Sequence, residues 1–362
     1  GEGWRGVPGR AAGGRGWWAQ TDPSVVWDSG AVVGISTGPR PLPGPGPAPR
    51  LAAGPALRSP RSAPGTAAQP RAGSALVPVL RALAAQPRVV RAQEALDEAT
   101  AALRWNEALR RRWREARAEA SVRCAVASGA VEGAPVPVSL LREHVAAADL
   151  TRPTSADPAL DAVAGIWRAG TRLVAWMPDL RGDLRPAQPS ARTLLATLHR
   201  DVTGPLASAG VIPLGEVGAP REETMPLREG GPGDAPRGGA LAARLDPLLE
   251  LIEAPGLPAL VRAAVVHGEL ITVRPFTSGN AAVARLVVRH LVTRDGLEPT
   301  GTAVADQYAA QAPGAYSAAA RAYASGTSQG VTDWILWQAE ALLVGVTEAQ
   351  ALCRAVQAGT TA

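Results

Sequence analysis

The chain has 362 residues, enough for one large or two ordinary domains, and its 37 basic residues are all Arg beside 39 Gly and 33 Pro, a bias that weakens any argument from Arg content to a ligand. The net charge of +5 sits in residues 1–73, which hold eight Arg against three acids, whereas residues 74–362 balance 29 Arg against 29 acids. That balance gives a nucleic-acid reading little support; no apolar run reaches the roughly 18 residues of a membrane span, and no charged start followed by an apolar run suggests secretion. The expectation is a cytoplasmic protein with no nucleic-acid or membrane partner.

Residues 1–75 read as a disordered Gly/Pro/Ala/Arg-rich extension, because Pro removes donors, Gly adds chain entropy, and few apolar side chains offset ordering. Trp17, Trp18 and Trp27 are unusual for such a segment. A first residue of Gly is not expected to be a native start. Residues 76–150 then read as N-terminal helices. The run from Arg88 to Gly133 is rich in Ala, Arg, Glu and Leu, which lose little rotamer freedom in a helix. Leu96, Ala99, Leu103 and Leu109 mark one apolar stripe, Glu107 to Arg111 is a favourable i,i+4 pair, and Arg110–Arg112 read as a solvated face. Cys124 and Cys353 have no second Cys or His at metal-ligand spacing, so both read as buried free thiols.

Residues 151–360 form the second predicted segment, after a helix at 139–149. Its helices are expected at 158–176, 189–202, 239–254, 257–273, 280–294, 303–324, 331–345 and 347–357. Ser139, Thr332 and Thr347 are the expected N-caps. Residues 203–238 form the one long break, read as a loop or short hairpin over the surface. Strand signals are nearly lacking elsewhere, so the predicted fold class is all-α.

The junction at 274–280 carries the chemistry. Leu260, Ala263, Ala264, His267, Leu270 and Ile271 repeat at helical spacing, and Pro275 ends that helix by pushing the residue before it out of the α region. Gly279 and Asn280 suit a turn and helix start, and a second helix buries Val283, Val287 and Leu291. A helix start reached through a Gly-containing loop presents free N–H groups to an anion. Phe276, the single Phe of the chain, is placed to anchor that loop to the core.

The stretch from Arg274 to Arg285, RPFTSGNAAVAR, resembles the active-site motif of Fic (Fido) proteins, H-x-F-x-[DE]-G-N-G-R-x-x-R. Ser128-Gly129-Ala130-Val131-Glu132-Gly133 is similar to the family's inhibitory pattern, [ST]-x-x-x-E-[GN]. The resemblance covers about residues 120–350. It implies an all-α bundle with two central helices flanking the loop, AMP transfer from ATP to a hydroxyl of a target protein, and a flap that positions the target. Pro275, Phe276, Gly279, Asn280 and Arg285 keep the motif, with Gly279, Asn280 and Arg285 as the implied nucleotide-binding residues.

The departures from the motif bear on function. The family's general base falls on Arg274, and a guanidinium stays protonated and cannot accept a proton. The acidic Mg²⁺ ligand falls on Ser278, a poor partner for a hard cation, so tight Mg²⁺ binding is not expected. The second Gly falls on Ala281 and the first Arg on Ala282. The reading is an impaired nucleotide- or anion-binding pseudoenzyme, with ATP or another nucleotide as candidate ligand and a protein target or regulatory partner; a homodimer stays open. The alternative is an active nucleotidyl- or phosphotransferase with a non-standard site. An oxidoreductase or hydrolase on another fold has no support: no strand–GxGxxG–helix unit is present, and an all-α pattern leaves no doubly wound sheet to carry a dinucleotide.

Several residues carry two readings. Glu132 either pairs with Arg285 across the site or is a solvated helix-end acid before Gly133. Arg274 and Arg221 are each either site residues, the latter in the flap, or surface arginines, and the surface reading is favoured for both. His267 and His290 read as core residues, and His144 and His199 as helix C-terminal residues whose charge the dipole would favour. Trp167, Trp176, Trp334 and Trp337 read as core packing.

Overall fold

A computed structural model describes residues 72–147, 154–182 and 185–361. The extension expected at 1–75, with Trp17, Trp18 and Trp27, lies outside the described residues up to residue 71. The first helix, α1 (Ala72–Ala84), already opens inside it. Thirteen helices and one short 3₁₀ turn at Leu214–Glu216 are present among the described residues, with no strand among them. The all-α expectation holds.

The long predicted helix beyond Arg88 is broken twice, into α2 (Pro87–Arg104), α3 (Glu107–Arg111) and α4 (Trp113–Val131). Asn106 makes the first break. Its side-chain oxygen accepts from the Ala108 N–H at 3.0 Å and so starts a new helix. Glu107 consequently pairs with Arg110 at 3.3 Å, one residue short of the expected i,i+4 partner. Arg112 forms the second joint, its guanidinium donating to Glu115 and to the Val356 carbonyl.

After α5 (Val138–Ala146) come α6 (Pro158–Trp176) and α7 (Ala191–Ser208), which pack closely. Asp157 caps α6 through the Ala159 N–H at 2.9 Å, and Ser190 caps α7 through the Thr193 N–H at 3.2 Å. Gly165 lets the two backbones meet, since a Cβ there would lie 2.1 Å from the Val202 carbonyl oxygen. Helix α7 also runs on through Pro205 to Ser208, beyond its expected end at 202.

Helices α8 (Gly238–Glu253), α9 (Ala259–Val273), α10 (Asn280–Arg294), α11 (Asp306–Gln311), α12 (Pro313–Ala324) and α13 (Ser328–Ala358) complete the order. Two expected helices fuse into α13. Thr332 and Thr347 are inside it, each hydroxyl donating to the carbonyl four residues back, at 2.8 and 3.1 Å. The real cap is Thr327, accepting from the Gly330 N–H at 3.1 Å. Ser139 is likewise not a cap, because α5 starts at Val138 after Pro137.

Helices α9 and α10 pack against each other at the centre, and nearly every residue of both is buried. A helix buried on all sides must be apolar around its whole circumference or satisfy its polar groups internally. His267 does the latter: its Nε2 lies 3.0 Å from the Tyr316 hydroxyl, and its Nδ1 accepts from the Gln338 amide at 2.9 Å. Trp334 stacks on Trp337 at 5.4 Å and donates to the Ala264 carbonyl at 2.7 Å. Leu80, Leu96, Val122 and Leu141 share one core with Val163, Leu198, Leu260, Val287 and Leu342, so residues on both sides of position 150 build it together. Cys124 and Cys353 belong to a second cluster with Leu103, Trp113 and Leu352. Both thiols are free, and burial pushes them up to about 12 and about 11.

Candidate functional site

The loop 274–279 joins α9 to α10, and three devices fix its shape. Arg274 ends α9 in the left-handed region, φ 47°, and is the one non-Gly residue with positive φ among the described residues. Gly279, φ 73°, starts α10. Asn280 closes the loop like a rung of a sheet: its Oδ1 accepts from the Phe276 N–H at 2.8 Å and its Nδ2 donates to the Phe276 carbonyl at 2.9 Å.

Phe276 is buried and lies flat on His199 of α7. His199 Nδ1 accepts from the Gly218 N–H at 2.8 Å, which leaves Nε2–H to donate to the Ser278 carbonyl at 3.1 Å. Burial holds this imidazole at about 4, so it is neutral. The expectation of a charged His199 at a helix C-terminus is corrected, because α7 continues for more than two further turns. His199 is instead a loop-positioning residue. His144 does lie in the last turn of α5.

The segment between α7 and α8 docks on this loop. The Arg221 N–H donates to the Pro275 carbonyl at 2.7 Å, and the Arg228 N–H donates to the Thr277 carbonyl at 2.8 Å. The Arg221 guanidinium reaches the Arg274 carbonyl at 2.8 Å and the Pro236 carbonyl. Arg228 grips Glu216 at 2.8 and 3.2 Å, and that hydrogen bonding lowers the Glu216 carboxyl. The surface readings of Arg221 and Arg274 are therefore corrected: both are buried. The Arg274 guanidinium points back into this segment, donating to the Glu229 carbonyl at 3.4 Å and to the Gly233 carbonyl.

Glu229 sends its carboxylate onto the start of α10. Its oxygens accept from Asn280 Nδ2 at 2.7 Å and from the Asn280 backbone N–H at 3.2 and 3.3 Å. Enclosure of the carboxyl end and the facing Glu132 charge push Glu229 up to about 7, against the stabilising Asn280 side chain and the Asn280 and Gly279 amides. Sequence reasoning missed Glu229, and no spacing signal distinguishes it within a charged, Gly/Pro-rich loop.

Arg285 occupies the other end of the site. Its Nη2 meets the Glu132 carboxylate at 2.5 Å and its Nε donates to the Ser128 hydroxyl at 2.9 Å. Burial is the largest single influence and works against the Arg285 charge, but Glu132, Tyr316 and Asp306 together outweigh it and raise the pKa. Glu132 is thus the Arg285 partner and not a solvated acid, although it is also the residue that ends α4. Gly133, φ 79°, follows it, with the Ala134 N–H bonded to the Gly129 carbonyl at 2.8 Å and the Gly133 N–H to the Ala130 carbonyl at 3.2 Å.

Ser278 is buried and its hydroxyl has no hydrogen-bond partner. Ala282 is buried, packed where the motif would place an Arg. A cavity of ≈ 170 Å³ lies between the two carboxylates and is lined by Glu132, Glu229, Gly231, Ala281, Tyr316 and Arg321 among others. The structure thus brings together Ser128, Glu132, Arg221, Arg274, Phe276, Gly279, Asn280 and Arg285 around one helix start.

No protein-family model matches the chain, and no curated protein matches it by sequence. Solved structures do. A Fic family protein from Desulfovibrio desulfuricans G20 is similar at a TM-score of 0.56 and 18% identity, over 74% of this chain and 75% of that one. A segment of Fic-1 from C. elegans is similar at a TM-score of 0.53 and 20% identity, over 80% of this chain and 79% of that one. Likeness at these identities speaks to architecture. The chain has the Fic fold, with the loop 274–279 joining its two central helices.

Proposed function

We propose that this chain is a Fic-fold anion- or nucleotide-binding module that does not carry out ordinary adenylyl transfer and acts as a regulatory pseudoenzyme toward a protein partner. The observation that supports this most is Arg274, which stands at the general-base position with its guanidinium donating to two flap carbonyls. A group that only donates cannot take a hydroxyl proton, and loss of a general base alone lowers rate by about 10²–10⁴.

The helix start fits an anion, because Gly279 takes the left-handed turn and the Asn280 backbone and side-chain N–H groups already hold two carboxylate oxygens. The donors do not fit a tightly held Mg²⁺, because the motif's acidic position is the neutral Ser278 hydroxyl. Function would then lie in binding, with the flap and the α9–α10 loop as the face offered to a partner.

Isothermal titration with ATP, ADP and AMP, each with and without Mg²⁺, tests the reading. Weak Mg²⁺-independent binding is expected for the wild type, and tighter binding for Glu132→Gly, which frees Arg285. No binding even by the Glu132→Gly/Glu229→Ala double variant overturns nucleotide binding and leaves a scaffold. Label transfer from α- or γ-labelled ATP to a lysate protein, abolished by Asn280→Ala or Arg285→Ala, would replace this reading with that of an active transferase.

A further inference from the structure

We propose that Glu229 is a built-in occupant of the anion cradle: the flap lays its own carboxylate on the start of α10, and an external phosphate enters by displacing it. The inference rests on the anion-binding reading above and specifies how that site is regulated.

The seat is the one a phosphate oxygen would use. Glu229 meets both the backbone N–H and the side-chain amide of Asn280, at 3.2 and 2.7 Å, at the positive end of a fifteen-residue helix. An anion arriving there finds these donors already taken.

The flap is fastened by independent ties, so Glu229 is not a loose side chain that happens to fall there. Arg228, its neighbour, bonds the Thr277 carbonyl through its N–H at 2.8 Å and holds Glu216 through its guanidinium. On the other side, the chain from Glu229 to Gly233 wraps the Arg274 guanidinium. Gly231 lies so close that a Cβ there would be 2.7 Å from Arg274 Cζ. The side chain that stands where a base is expected therefore serves as the flap's fastening point.

The pairing of charges follows this geometry, although enclosure and the Glu132 charge raise the Glu229 carboxyl. Two positive seats exist, the α10 start and Arg285, and two carboxylates fill them, Glu229 and Glu132. These carboxylates face a common cavity, so a polyphosphate reaching both seats would meet two negative charges at close range. Removing one carboxylate frees one seat only; removing both frees the pair.

Two measurements on the full chain test the proposal. The first is amide hydrogen exchange without any ligand. Glu229→Ala, and the shape-preserving Glu229→Gln should Ala disturb the fold, are expected to speed exchange at Asn280 and across 228–231 at least tenfold relative to wild type. Unchanged Asn280 exchange in both variants overturns the proposal. The second is titration with Mg²⁺-free ATP. Glu229→Gln is expected to bind at least tenfold more tightly than wild type, and the Glu132→Gly/Glu229→Ala variant more tightly than either single change. Equal affinity of wild type and Glu229→Gln overturns displacement while leaving nucleotide binding intact. Faster exchange with no ATP binding by any variant has the opposite meaning: the carboxylate does seal the helix start, but the cradle does not serve a nucleotide.

Discussion

The imidazole of His199 lies flat on the ring of Phe276, with centroids 3.9 Å apart and planes within 7° of parallel. One partner comes from α7 and the other from the motif loop, so this stack joins the loop to the rest of the core. Phe276→Ala would remove the aromatic anchor and leave a void beside His199. The expected loss is about 3–5 kcal/mol, read as a fall in the urea midpoint with an unchanged slope.

The same histidine gives a pH prediction. Its folded value of about 4 lies below the 6.5 of an exposed imidazole, so in acid the unfolded chain takes up the proton first. This group therefore withdraws stability as pH falls from about 6.5 toward 4, by about 1.4 kcal/mol per unit. Glu229, held near 7 and above its ordinary 4.5, acts in the opposite direction as pH falls through 7, so the total is not diagnostic and a variant is needed. The stability advantage of wild type over His199→Gln should shrink by about 2–3 kcal/mol between pH 7 and pH 4.5. A constant difference would mean that folding leaves the His199 pKa unshifted.

Glu132→Ala should destabilise although it removes a partly exposed side chain. It removes the carboxylate bonded to Arg285 and leaves the guanidinium buried against the Ser128 hydroxyl and carbonyl and the Tyr316 ring. Breaking a fully buried ion pair costs about 3–5 kcal/mol. Glu132 keeps about a fifth of its side chain exposed, so water screens part of the interaction and a loss of about 2–3 kcal/mol is expected. Arg285→Met in the same background should recover part of that loss, since it removes the unpaired charge. Thermal denaturation of the three proteins reads the cycle.

Gly165→Ala should be damaging for a reason of distance alone. The added methyl would meet the backbone of Val202, which cannot rotate away as a side-chain tip can. Helices α6 and α7 would have to separate, at about 1–3 kcal/mol or more. Because α7 carries His199, the loosened stack should also appear as faster amide exchange in residues 276–280.

Much of the fold was legible in local pattern. The apolar repeat from Leu260 to Ile271, the stop at Pro275 and the restart after Gly279 gave α9, the loop and α10 with ends shifted by at most two residues. Boundaries set by side-chain competition were not legible. Asn106 interrupts a run of good helix formers by capping a new helix, whereas Thr332 and Thr347 bond backward and leave α13 unbroken. At the site, the motif residues announced themselves through spacing. Glu229, Arg228, Glu216 and His199 did not, because each reaches the loop by tertiary return of the chain. An acid in a Gly/Pro-rich stretch looks the same in sequence whether it faces water or a helix start.

The left-handed backbone at Arg274 has a mechanical consequence. A long side chain in that region holds about 1–2 kcal/mol of torsion, and the residue before a proline relaxes most readily to an extended shape. What keeps it wound is the flap: Arg221 on its carbonyl, and the carbonyls of Glu229 and Gly233 on its guanidinium. The joint is a coiled spring with a catch, and the catch is the flap itself. Those contacts tie the backbone shape at Arg274 to the placement of the 221–233 segment, so the loop's crest and the segment above it are set by the same bonds.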